Sequence, residues 1–323
     1  MSDRMGVRLA GILAILAFLL TFPLFASLFF VLLFTEILIF SLFSLSFNLL
    51  FGYTGLLSFG HAAFFGLGGY AMALVAVHWH LSMIPALLSA LVVSFLGAAI
   101  IGFFCVRRDE IYFAMLTLGF GMMVFTLVHQ WRGLTGGSDG LTGFEVPVLN
   151  LVFIKFFLFS PITYYYFTLC VCLFCTLFLW RLIRSPFGLI LTSMRENAER
   201  VSFIGVNVRF YRWIAFILAG VVAGMAGALF APYDRMASPS MVHWTMSAKP
   251  VLMAILGGAR VFMGPVVGAF IFFLLGHVIT QYTQSWMIFL GAVLVPIVIF
   301  FPKGVLGTVM DWKRRLTRGW PDE

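Results

Sequence analysis

Long apolar runs alternate with short polar breaks along this chain, and the breaks carry most of the information. Residues 9–51 are almost uninterruptedly apolar. As one helix they would be about 65 Å long, roughly two hydrocarbon cores of about 30 Å, so the pattern predicts two crossings. Glu36 is the natural marker of the turn between them. Further spans are predicted at 61–80, 84–106, 111–130, 161–183, 211–231, 247–258, 264–282 and 285–301. Segment 247–258 is short, as if broken or only partly spanning. The runs lack the strict polar and apolar alternation of barrel strands. The fold class is therefore an all-α polytopic membrane protein with about ten transmembrane helices, read as one domain over residues 1–323.

Composition agrees. The chain is 62% hydrophobic and 10% charged, against about a quarter charged in ordinary soluble domains. A net charge of +8 could suggest nucleic acid as a partner, but the basic residues lie in short segments between spans. That is the positive-inside bias of a protein embedded in membrane lipid. With the N-terminus inside, Arg132, Lys155, Arg235 and Lys249 fall outside and the other sixteen of the 20 Lys and Arg fall inside. Both termini and the loop 184–210 are thus expected on the cytoplasmic side. Arg4 and Arg8 precede an apolar run too long for a cleaved signal core. Trp79, Trp131, Trp180 and Trp286 sit near predicted span ends, as an interfacial aromatic belt requires. The apolar stretch 146–159 is expected to lie on the membrane or dip into it. Cys105, Cys170, Cys172 and Cys175 are read as small buried hydrophobes. Helical geometry turns Cys170 and Cys172 to nearly opposite sides, so that cluster cannot surround a metal.

The densest charge lies in the loop 184–210. Ser185-Pro186 is a good helix start. Leu191, Met194, Ala198 and Val201 recur at three- and four-residue spacing, with Arg195, Glu196, Asn197, Glu199 and Arg200 on the remaining surface and Gly205 as a terminator. A short amphipathic helix over 189–204 follows. Such a helix can rest among lipid headgroups, but its mixed charge suits a groove in a partner protein better.

Residues 48–70 hold six glycines, which either let helices pack closely or break a helix so that backbone groups meet a polar substrate. Asn48, Ser58 and His61 are the polar side chains near that break and the candidates for a translocation pathway. Segment 131–141 contains a Gly-x-Ser-x-Gly match centred on Ser138, which raises an intramembrane serine hydrolase, with His129 or His243 as base. A nucleophile elbow needs a strand, turn and helix, and this serine follows a span into a glycine-rich loop. Gly257-Gly258 and Gly264-Pro265 bracket a tight inner turn. No nucleotide-binding Gly-x4-Gly-Lys-[Ser/Thr] motif occurs, and Glu36 is the only plausible intramembrane carboxylate, so energy is expected from outside the chain.

Taken together, 47–66, 131–141, Arg184-Ser185-Pro186-Phe187-Gly188 with Arg195-Glu196-Asn197, and Gly257-Gly258 with Gly264-Pro265 resemble the longer permease of bacterial ABC importers for branched-chain amino acids. The resemblance runs from about residue 41 to 307. It implies a type II importer transmembrane domain in the bacterial inner membrane, paired with a second related permease, two ATP-binding subunits and an external substrate-binding protein. It implies that helix 189–204 is the coupling helix, with Arg195, Glu196, Asn197, Glu199 and Gly205 at the ATPase contact. No cofactor is implied on this chain, since ATP would be bound by the partners, and no covalent chemistry. Leu, Ile or Val would be the cargo, with urea or short amides as the alternative because related permeases take them. Where relatives often place a basic residue after Phe-Gly, this chain has Leu189-Ile190-Leu191, which predicts a greasier docking surface.

Overall fold

The computed structural model describes residues 14, 16–107, 110–144, 147, 149–151, 154–156, 158, 160–282, 286–301 and 303–318. They form a helical bundle: α1 (Leu16–Phe25), α2 (Leu28–Thr54), α3 (His61–His78), α4 (Met83–Cys105), α5 (Glu110–Gln130), the short α6 (Arg132–Thr135), α7 (Pro161–Ile183), α8 (Pro186–Phe203), α9 (Val208–Asp234), α10 (Trp244–Gly257), α11 (Gly264–Tyr282), α12 (Trp286–Phe300) and α13 (Gly304–Arg318). Seven of them, α2, α3, α4, α5, α7, α9 and α11, are long and apolar enough to cross a membrane. The other three predicted spans correspond to α1, α10 and α12, all shorter. At 14 residues, α10 is about 21 Å long, too short for a full crossing, as its sequence suggested.

The predicted boundaries of α7 and α11 coincide with those observed. Glu36 does not mark a turn. The chain opens instead at Ala26 and Ser27, about a turn after Pro23, with Ser27 extended (φ −66°, ψ 157°), and Glu36 sits inside the continuous α2. Four features escaped the hydrophobic pattern: α6, α13, and two small antiparallel ribbons. In one, β1 (Leu141–Thr142) pairs with β4 (Met236–Ala237). In the other, β2 (Leu149–Leu151) pairs with β3 (Ile154–Phe156), so part of the apolar stretch 146–159 is a hairpin. Residues 146, 148, 152, 153, 157 and 159 lie outside the described residues.

At the centre α3 runs against α9, flanked by α2 and α4. The most hydropathic windows of α3 and α9 are 78% buried, against 22–28% for α4, α5 and α7, which present most of their surface outward. Lipid tails are as apolar as side chains, so helix association rests on close packing rather than on escape from water. Small residues supply it. A Cβ on Gly68 would strike the Gly224 carbonyl, and one on Gly227 the Phe65 carbonyl. Phe40, Phe43, Phe47, Phe64, Phe65 and Phe216, all fully buried, fill the space around this contact. Cys105, Cys172 and Cys175 are buried as expected. Cys170 is exposed, a correction that follows from α7 burying only one stripe.

Candidate functional site

The polar segment forms α8, but not as one helix. Pro at the first helical position starts it after Ser185 (φ −82°, ψ 170°), and Leu191, Met194 and Val201 turn inward and are buried. Asn197 then leaves helical geometry (φ −160°, ψ 99°). Its side-chain oxygen accepts from the Arg200 backbone N–H at 2.9 Å, so Asn197 is the N-cap of a second short helix, 198–203. This corrects the continuous helix expected over 189–204. The apolar spacing fits an unbroken helix, but the cap geometry of Asn197 wins locally. Gly205 follows with φ 86°, a conformation that favours glycine, and its N–H bonds the Ser202 carbonyl at 3.0 Å.

Arg195 is the link to the bundle. Its Nη1 donates to the carbonyl of Gly52 near the end of α2, and its aliphatic stem lies over Gly55. Partial burial holds its pKa below the usual arginine value, helped by Arg260 and opposed by Glu196. Gly52 in turn faces the Ala259 carbonyl, and Gly258 faces that of Lys303. The polar segment, the end of α2, the 258–264 turn and the start of α13 thus meet at one end of the bundle, here the basic end. These are segments that the charge pattern assigned to one face. Glu196, Asn197, Glu199 and Arg200 are exposed there, beside Leu189 at 69%, Phe203 at 77% and Ile204 at 78% exposure. Of the apolar triplet expected to make this surface greasier, only Leu189 is exposed; Ile190 is half-buried and Leu191 is buried.

Between α2 and α3 the chain is non-helical from Gly55 to Gly60, and the glycines there are closely packed, with a Cβ on Gly60 striking the Thr117 carbonyl. Asn48, Ser58 and His61 are all fully buried. The His61 Nε2 lies 2.9 Å from the Ser46 hydroxyl, and its ring stacks on Phe43. Among the described residues, neither amide atom of Asn48, nor the Ser58 hydroxyl, nor the His61 Nδ1 has a hydrogen-bond partner, and burying such a group unpaired costs about 1–3 kcal/mol.

Toward the other end, a cavity of about 340 Å³ is lined by Phe125, His129, Ser138, Ser238, Pro239, Ser240, His243 and Thr245. The His129 and His243 rings both pack on Phe125. The Ser238 and Ser240 hydroxyls are 2.6 Å apart. Ser138 and the two histidines therefore share one pocket, which spacing had not suggested. Ser138 donates to Asp139 at 3.1 Å and to neither imidazole, and it sits between α6 and β1 rather than on a strand-to-helix turn.

Sequence reading missed a third group. Glu36 of α2, Tyr233 of α9 and Lys249 of α10 are half-buried, and Asp234 at the end of α9 is exposed. The Lys249 ammonium lies 4.8 Å from the centre of the Phe40 ring, and the Ser44 hydroxyl holds α10 to α2 through the Pro250 carbonyl at 3.3 Å. The sequence signal was there in part. Glu36 and Phe40 are four apart and share a helix face, but nothing local joins them to Lys249.

A family model described as the branched-chain amino acid transport system permease component matches residues 28–298. The chain belongs to that family. Among curated permeases, it is 26% identical over 291 residues to the high-affinity branched-chain amino acid transport system permease protein LivM of Salmonella typhimurium, covering 84% of this chain and 68% of that one. It is 23% identical over 290 residues to a probable LivM of Methanocaldococcus jannaschii, covering 79% and 82%. A probable LivH of the same archaeon is 28% identical over 142 residues, 41% of this chain and 44% of that permease. No solved structure gives a significant match. Membership in a transport family, with Ser138 lacking an imidazole partner, leaves the hydrolase reading without support. This permease is a multi-pass membrane protein with polar groups gathered at its two ends.

Proposed function

We propose that this permease moves leucine, isoleucine and valine inward across the bacterial inner membrane, driven by ATP hydrolysed on partner subunits. It does so beside a second related permease, on two ATPase subunits and under an external substrate-binding protein. It catalyses no covalent step and binds no cofactor itself. The basic end faces the cytoplasm with both termini, as the sixteen-to-four distribution of Lys and Arg favours. The observation that carries the reading is α8. Its tip exposes charged Glu196, Glu199 and Arg200 beside apolar Phe203 and Ile204, a surface suited to a protein groove. Its root is tied through Arg195 to the end of α2. A push on the tip is then delivered to the helix that carries Asn48 and leads into the 55–60 break. Opening that break would bring Asn48, Ser58 and His61 to the pathway and give their unpaired groups polar partners.

Relatives named for the same transport support the cargo. The test is purification in mild detergent after coexpression with the candidate partners, followed by uptake in proteoliposomes. Copurification of an ATPase and ATP-dependent leucine uptake are expected. Glu196→Ala combined with Asn197→Ala should leave the protein in the membrane and abolish most uptake; full uptake by that double variant, or uptake by this chain alone, would overturn the proposal.

A further inference from the structure

The last helix turns its apolar side away from the protein. Three residues separate α12 from α13, so α13 starts beside the end of an apolar helix, at the basic end. Gly304 and Gly307 are buried against the 258–264 turn. A Cβ on Gly304 would strike Gly258, and one on Gly307 would come to 4.0 Å from the Val261 side chain. At about 100° per residue Val309 lies on the opposite side of the helix, with Met310 and Trp312 flanking it. These three are 50%, 40% and 65% exposed. Val305, Val309 and Trp312 recur at four- and three-residue spacing, the mark of an amphipathic face, and Leu316 continues it. The one carboxylate of α13, Asp311, is ion-paired with Lys303 at 2.5 Å. Beyond it come Lys313, Arg314, Arg315 and Arg318, with no further acid in the helix.

Charge sign and residue type choose the occupant. The tip of α8 mixes Arg195, Glu196, Glu199 and Arg200, as a protein groove prefers. The end of α13 carries one sign only, next to an exposed tryptophan and exposed aliphatic side chains. That is the composition of a helix lying in the membrane interface, where apolar residues enter the leaflet and a tryptophan sits at headgroup level. Clusters of about four to eight Lys and Arg just past an apolar helix attract anionic lipid. We infer that α13 is an interfacial helix that binds anionic phospholipid. Val309, Met310 and Trp312 enter the leaflet at the basic end, and Lys313-Arg314-Arg315 with Arg318 gathers the headgroups. The Gly304 contact with Gly258 fixes this helix to the end of the bundle that also carries α8.

The full-length protein is placed in nanodiscs of phosphatidylcholine alone, or of equal parts phosphatidylcholine and phosphatidylglycerol, and trypsin cleavage within 313–318 is timed. Cleavage in the loop 184–210 of the same digest is the reference. Relative to it, phosphatidylglycerol should slow cleavage of the basic segment about tenfold. The protection should vanish in about 1 M salt, where charges are screened within about 3 Å. Val309→Ser combined with Trp312→Ser keeps every cleavage site and should lose most of the protection. Arg314→Gln combined with Arg315→Gln leaves Lys313 and Arg318 as sites and should lower the protection about fivefold or more, the scale of lipid attraction per basic residue. Val309 and Trp312 are exposed, so the reference cleavage and a monodisperse detergent peak should match wild type. The assignment is wrong if phosphatidylglycerol leaves cleavage unchanged, if it slows the reference loop equally, or if either double variant is protected like wild type. Protection that requires an added ATPase subunit in place of phosphatidylglycerol would put a protein on this face and overturn it as well. The digest needs neither cargo nor ATP, so its outcome is separate from that of the transport proposal.

Discussion

The two ends of this permease are built from similar residues and behave oppositely. At the basic end glycines remove bulk so that backbones touch: Gly52 lies against Ala259, Gly258 against Lys303, and Gly257 against Gly264. Arg195 ties the outer piece to the inner one. Toward the histidine end glycines also let backbones touch, since a Cβ on Gly136 would strike the Gly140 carbonyl and one on Gly140 the Ala237 carbonyl. Gly136 and Gly140 carry positive φ of 77° and 71°, and the loop they shape borders an open, hydroxyl-rich pocket. One end is a tied linkage, which on the proposed function would transmit a displacement. The other has room and polar groups, with Ser138 donating to Asp139 rather than to either imidazole. Close glycine packing does not distinguish the two; the Arg195 tie at one end and the pocket at the other do.

Variants that exchange these characters test the contrast. The largest effect is expected for Gly52→Val, which drives side-chain atoms into Asn48 and the Ala259 backbone. A loss of about 3 kcal/mol should show as collapse of the monodisperse peak in detergent, and a wild-type peak would mean the contact is not tight. Arg195→Ala should leave expression nearly intact yet lower ATP-driven uptake about tenfold, since a hydrogen bond from a charged donor contributes about 1.5–3 kcal/mol. Uptake near wild type would break the mechanical link between α8 and α2. Asn197→Ala removes an N-cap worth about 1 kcal/mol and should reduce uptake several-fold, with Asn197→Ser restoring it. Failure of serine to rescue would point to the amide's outer face instead. At the other end, Ser138→Ala should change uptake by less than about twofold, as most surface substitutions do. Gly133→Ala, with nothing within 4 Å of the added Cβ, should shift the melting temperature least of all.

The spans were legible where a helix edge is also a chemical edge. Ser160-Pro161 opens α7, and Gly264-Pro265 opens α11 with Gly264 as its first residue. Both were placed correctly because proline and small residues act on the backbone locally. Asn197 was harder, since the period of Leu191, Met194, Ala198 and Val201 and the capping preference of asparagine give conflicting signals, and only the fold shows which prevails. Glu36 was misplaced for a different reason. A carboxylate in an apolar run reads as a turn, whereas the fold keeps Glu36 half-buried inside the continuous α2. The pocket shared by His129, Ser138 and His243 was invisible because distant segments supply it.

By itself the sequence determined that this chain lives in a membrane, that its basic loops share a face, and that one polar segment stands apart from the spans. Those properties follow from transfer energies and backbone preferences that each stretch carries independently of the rest. The tertiary structure alone decided which glycine touches which carbonyl, that Arg195 reaches Gly52, and that Lys249 stands over Phe40. Contacts between helices depend on rotation and register, and a uniformly apolar surface encodes neither until the helices have packed.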